Sequence, residues 1–120
     1  MAVLADGKVY VGTSDKPEYV QLPFANRHGL ITGATGTGKT VTVQILAEGF
    51  SRAGVPVFCA DVKGDVAGLA MPGEPKDFLA KRATQIGFAD EYVFEASPVV
   101  FWDLFGHKGH PIRTTVSEMG

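Results

Sequence analysis

Gly33-Ala34-Thr35-Gly36-Thr37-Gly38-Lys39-Thr40 decides how the rest of the chain is read. The octet has the form G-x-x-x-x-G-K-[ST], the spacing of a phosphate-binding P-loop. Gly33, Gly36 and Gly38 lack a Cβ, so the backbone can enter φ values closed to other residues and come close to a ligand. A loop curled in this way turns N–H groups inward, and a helix beginning near Lys39 adds the positive end of its dipole. Lys39 is then placed to set a cation on the β- and γ-phosphates of a nucleotide. The Thr40 hydroxyl is placed to ligate a Mg²⁺ bridging those phosphates. An ordinary Gly/Thr-rich turn has a similar composition, and the flanks separate the two readings. Gly29-Leu30-Ile31-Thr32 reads as a strand leading in, and Val41 to Phe50 reads as a helix leading out, which is the context the motif requires.

Downstream, Val43, Leu46, Ala47 and Phe50 recur at helical spacing and form one apolar stripe, widened by Val41 and Ile45, that should face a sheet. Gly54 is a stop signal and Pro56 blocks continuation. Val55 to Asp61 is almost wholly apolar, as expected of a parallel strand covered on both faces, and it ends in an acid. The Gly-rich segment 62–68 follows at the carboxyl edge, where open α/β sheets bind ligands. A second helix is expected from Pro75 to about Ile86, ended by Gly87. Tyr92 to Glu95 and Val99 to Phe105 read as strands split by Ser97-Pro98, and the stretch Gly106 to Pro111, with His107 and His110, reads as a polar loop. Those two histidines are a weak metal signal, and a solvated loop is the better reading.

Upstream, Lys8 to Val11 alternates after the turn signal Asp6-Gly7, and Tyr19 to Leu22 forms a second candidate strand closed by Pro23. Residues 1–25 therefore read as a small N-terminal β element. Residues 26–120 read as the N-terminal part of a P-loop domain. His28, just before the loop, reads as a polar strand-edge residue, with contact to nucleotide or a neighbouring subunit as the alternative.

The composition excludes several classes. With 45% hydrophobic and 20% charged residues, the chain is globular rather than disordered. A net charge of −2 gives no global basic footprint for nucleic acid. The lone cysteine, Cys59, rules out a disulfide framework, fits a reducing cytoplasm, and reads as a buried small hydrophobe. No run of 18 apolar residues and no signal-peptide pattern occurs.

Four blocks then carry a resemblance. They are Asn26-Arg27-His28-Gly29-Leu30-Ile31 running into the P-loop, Gly54 to Phe58 with Asp61-Val62-Lys63-Gly64-Asp65, Phe101-Trp102-Asp103-Leu104-Phe105-Gly106, and Gly109 to Gly120. From about Leu22 onward the chain resembles the HerA-like ATPases of the HerA/FtsK group, and more closely a bacterial family of HerA-like helicases. The resemblance implies a RecA-like α/β fold, a parallel sheet with helices on both faces. It also implies ATP and Mg²⁺ as cofactors, DNA as the partner of the whole protein, and a ring-shaped homo-hexamer that translocates DNA. Members are several times longer, and their Walker B acid, catalytic glutamate and arginine finger match nothing within these 120 residues. Thr115-Val116-Ser117-Glu118 is a capping box with no helix after it, so the chain reads as a truncated N-terminal fragment.

Phosphoryl transfer needs a second acid for Mg²⁺, a group that orients water, and a cation for transition-state charge. Asp61, after four apolar residues, either ligates Mg²⁺ or fixes the loop behind it. A small P-loop kinase and a non-catalytic nucleotide-binding module are the alternative functions. A GTPase is disfavoured because the only asparagine, Asn26, lies upstream of the P-loop and leaves no N-K-x-D guanine reader.

Overall fold

The computed structural model describes residues 4–5, 7–61, 63, 66–70, 97–103 and 105–111. The expected helix at 75–86, the strand at 92–95 and the capping box at 115–118 lie outside the described residues.

The N-terminal strands form where period-2 patterning and turn chemistry put them. β1 (Leu4–Ala5) and β2 (Lys8–Thr13) pair antiparallel around the turn at Gly7, whose φ of 67° is one that glycine tolerates. β3 (Pro17–Gln21) returns along β2, with Val9 opposite Val20 and Tyr10 opposite Tyr19, and a register irregularity falls between Tyr10 and Gly12. Val9 and Tyr10 occupy successive positions and so point to opposite faces, yet both are buried. The Tyr10 ring meets Tyr19 edge-on at 6.1 Å, and its hydroxyl lies 2.8 Å from Thr13 Oγ1. A short 3₁₀ turn, Leu22–Phe24, closes the meander at Pro23.

α1 runs from Lys39 to Arg52. Its end is a Schellman motif: the Val55 N–H donates to the Phe50 carbonyl at 2.9 Å, the Gly54 N–H donates to the Ser51 carbonyl at 3.0 Å, and Gly54 sits at φ 84°. The helix rests on β2. Its buried residues are Ala47, Glu48 and Gly49, with Gly49 packed directly against Val9. The apolar stripe is therefore only half used, since Val41 and Val43 stay exposed. Glu48, 4% exposed, is paired with Arg52 one turn on at 3.6 Å.

The fold is α/β, but its described sheets differ from the expected parallel one. Three strands form an antiparallel meander, and the parallel pairing is a two-residue bridge between β4 (Trp102–Asp103) and β5 (His110–Pro111). Neither 29–32 nor 55–61 joins a ladder among the described residues. The physical reason is pairing distance: a parallel strand needs a crossover partner far along the chain, whereas a hairpin finds its partner within a few residues. Leu30 and Phe58 consequently stand 87% and 86% exposed. Cys59, expected inside, is exposed for the same reason, because the run around it is not covered.

Candidate functional site

The Gly33–Thr40 loop leads straight into α1. Gly36 and Gly38 adopt φ of 81° and 95°, and Gly38 is the N-cap residue of the helix. These are left-handed conformations that a side chain would resist, so glycine at both positions is a backbone requirement. The first intrahelical bond runs from the Thr42 N–H to the Gly38 carbonyl at 3.0 Å, so the N–H groups of Lys39, Thr40 and Val41 have no acceptor within the helix. No acidic residue occupies this first turn. The helix start therefore carries unsatisfied donors, the positive dipole end and the Lys39 ammonium together. The Thr40 residue is exposed.

The Lys39 ammonium is turned back onto its own loop. Its Nζ donates to the Gly33 carbonyl at 2.6 Å and to the Ala34 carbonyl at 2.9 Å. The Thr37 hydroxyl donates to the same Ala34 carbonyl at 2.6 Å, and the Thr37 N–H reaches it at 3.3 Å. The Ala34 carbonyl thus receives three donors. The motif assigns Thr37 no side-chain role, and the only signal in the sequence is a hydroxyl three residues after a carbonyl it can bond.

Asp61 Oδ2 accepts the Val66 N–H at 3.0 Å, so its carboxylate ties the start of the Gly-rich segment to that segment's far side. His28 is exposed beside Arg27, whose guanidinium donates to the Asn26 side chain at 3.0 Å. Among the described residues no group of three or more His, Cys, Asp or Glu is placed to hold a metal ion.

The polar loop expected at 106–111 is organised by Asp103, a residue that the sequence reading placed in a strand and gave no part in the loop. Asp103 Oδ1 accepts the Phe105 N–H at 3.1 Å, and Oδ2 accepts the N–H groups of His107 at 2.8 Å and Lys108 at 3.0 Å. These bonds, that from Lys108 foremost, hold the Asp103 carboxyl below its ordinary pKa. An Asp three residues before a Gly was the available signal, since Asp bonds backbone N–H groups ahead of it and Gly106 takes φ 71°. The Trp102 and His110 rings meet across the bridge at a tilt of 51°, with centroids 5.7 Å apart. An open hollow of about 430 Å³ here is lined by Val99, Val100, Phe101, Lys108, Gly109 and His110, and by no P-loop residue.

A family model described as the C-terminal domain of HerA-like helicases matches residues 6–120. That description does not support the chain's placement as the N-terminal piece of such a protein. No curated protein and no solved structure matches the chain. Among the described residues no helix is long and apolar enough to cross a membrane.

Proposed function

The chain belongs to the HerA-like helicase family, and from that premise we propose that residues 33–40 bind the triphosphate of ATP as part of a DNA-translocating ATPase. The observation that carries the reading is the helix start: two glycines at positive φ, three N–H groups without helical acceptors, and one ammonium lie within a few residues of each other. That donor set is chemically matched to an anion. In this reading the amides of Gly33, Ala34, Thr35, Gly36, Thr37 and Gly38 surround the phosphates, and Lys39 neutralises their outer charge. The exposed Thr40 hydroxyl is a hard oxygen donor suited to Mg²⁺, which when bound would draw charge from the phosphate oxygens. Asp61 fixes its loop through Oδ2, which accepts the Val66 N–H, and its carboxylate is also the candidate second acid for Mg²⁺.

The finer features follow as parts of the same proposal. They are a RecA-like arrangement around the loop, with residues 1–25 as an appended β element, assembly into a homo-hexameric ring, DNA as the track, and a cytoplasmic bacterial setting. A nucleotide-binding module with little hydrolysis of its own is the second reading. It is favoured by the Asp61 bond to the Val66 N–H, which commits one of the two carboxylate oxygens to the loop.

Lys39→Ala tests the assignment. Photolabelling by an ATP probe with Mg²⁺ should fall to background in the variant while α1 persists by circular dichroism. Labelling equal to the parent chain's would discard the P-loop reading. Stimulation of ATP hydrolysis by added DNA separates a translocase from a metabolite kinase.

A further inference from the structure

The loop after β4 is closed by polar bonds, yet its aromatic rings stand in solvent. We infer that this loop grips an unpaired nucleic-acid strand, with bases stacked on Trp102 and Phe105 and a phosphate on the Lys108 ammonium. The inference goes beyond the phosphate site at residues 33–40 and does not rest on it.

Closing the loop uses none of the rings. Asp103 gathers the N–H groups of Phe105, His107 and Lys108 on its two carboxylate oxygens. The His110 N–H donates to the Phe101 carbonyl at 2.8 Å, and the Gly106 N–H donates to the Asp103 carbonyl at 3.2 Å. A Cβ at Gly109 would collide with the Phe101 carbonyl, so the backbone itself is packed closely there. With the loop fixed in this way, Trp102 remains 60% exposed and Phe105 76% exposed. Each ring has an imidazole beside it: His110 lies 5.7 Å from Trp102 and His107 lies 6.3 Å from Phe105.

Charge and shape narrow the occupant. Rings alone would suit a protein partner, but Lys108, His107 and His110 flank these and all are exposed. Asp103 is the only acid between residues 97 and 111, and both its oxygens already hold backbone donors. Among the described residues no acidic side chain pairs with the Lys108 ammonium. The hollow of about 430 Å³ sets Val99, Val100 and Phe101 beside Lys108 and His110, an apolar wall with a cation next to it. Aromatic faces accept any base, and an ammonium accepts a phosphate oxygen, which is how unpaired strands are held without sequence preference. A duplex keeps its base faces stacked inside and cannot use the rings. With one lysine in the loop, stacking carries most of the affinity and salt affects it little.

Trp102 is the chain's only tryptophan, so quenching of its emission by a stacked base reports the contact directly. The experiment titrates the chain with oligothymidylate, at concentrations where sedimentation shows a monomer. It follows Trp102 emission together with the anisotropy of a labelled strand. The strand should quench the emission, and the same strand annealed to its complement should not. Trp102→Ala and Phe105→Ala should each weaken binding roughly 5- to 150-fold, with α1 retained by circular dichroism, and Trp102→Tyr should keep most of the affinity. Lys108→Ala should weaken binding and flatten the slope of log affinity against log salt by about 0.7. Lys39→Ala should bind the strand as the parent does. The inference is overturned if the single strand leaves Trp102 unquenched, if Trp102→Ala binds as tightly as the parent, or if the duplex quenches equally. Those results would leave the nucleotide reading standing, because photolabelling by ATP tests it separately. Loss of strand binding in Lys39→Ala would place the strand on the P-loop and overturn the inference as well.

Discussion

Asp103 shows how one side chain can organise a loop without burial. Three backbone N–H groups converge on its two carboxylate oxygens, and all three bonds favour the charged form. Its pKa is therefore lowered, and the sign of the linkage follows. The charged carboxylate's support for the loop is complete above the ordinary aspartate range and is lost as pH falls through the lowered value. Trp102 is the only tryptophan in the chain and precedes Asp103 directly, so its fluorescence reports on this loop and on the His110 ring 5.7 Å away. The part of the emission that follows Asp103 should change only below the ordinary aspartate range. Asp103→Asn, which keeps one acceptor oxygen and loses the charge, should already show the altered emission at neutral pH and lack the acid transition. A transition of the same size in Asp103→Asn would assign it to another group.

At the scale of elements, the packing of α1 on β2 turns on one contact. Gly49 lies where a Cβ would overlap Val9 Cγ1, and Val9 is fully buried with a stiff χ1, so neither side can give way cheaply. In isolation, exchanging a mid-helix glycine for alanine favours the helix by about 0.8–1 kcal/mol. Here the overlap should outweigh that gain, and Gly49→Ala should destabilise the helix–sheet unit by about 1–3 kcal/mol. In a Val9→Ala background the overlap disappears, so Gly49→Ala should become neutral or stabilising. Denaturant titration followed by circular dichroism measures the four corners of this cycle. A stabilising Gly49→Ala in the native background would show that α1 does not sit on Val9. This contact also marks what was legible in the sequence. The helix, its Gly54 stop, the Gly7 turn and the strands β2 and β3 depend on neighbours within a few residues, and turn chemistry and periodicity announce them. Which face of α1 would be covered depends on a partner some forty residues away, so the buried Glu48 and Gly49 could not be read from an apolar stripe. The same limit applies to 29–32 and 55–61, whose composition suggests strands that the structure does not form, because pairing is not a local property. In the candidate site, the glycines and Lys39 were legible because the motif states a backbone geometry. The Thr37 hydroxyl bond was not, because the motif fixes no residue type at that position.

At the scale of the whole molecule, the described residues bury little and expose much. Val9, Tyr10 and Ala47 are the buried hydrophobic residues among them, whereas Leu30, Phe58, Phe105, Phe24, Val100 and Trp102 are each more than half exposed. Large apolar side chains in such numbers are characteristic of surfaces that associate. The charge that might oppose association is small, −2 at neutral pH with an isoelectric point near 5.8. The chain on its own should therefore bind an apolar dye and self-associate with rising concentration, more strongly near pH 6 than at pH 8. Leu30 and Phe58 are the most exposed of the set and belong to the two runs that composition marks as strands. If apolar contact drives the association, Leu30→Ser with Phe58→Ser should weaken it severalfold in sedimentation velocity, and added salt should not. Association that salt dissolves and the double substitution leaves intact would mean that charge, and not uncovered strand surface, holds the copies together.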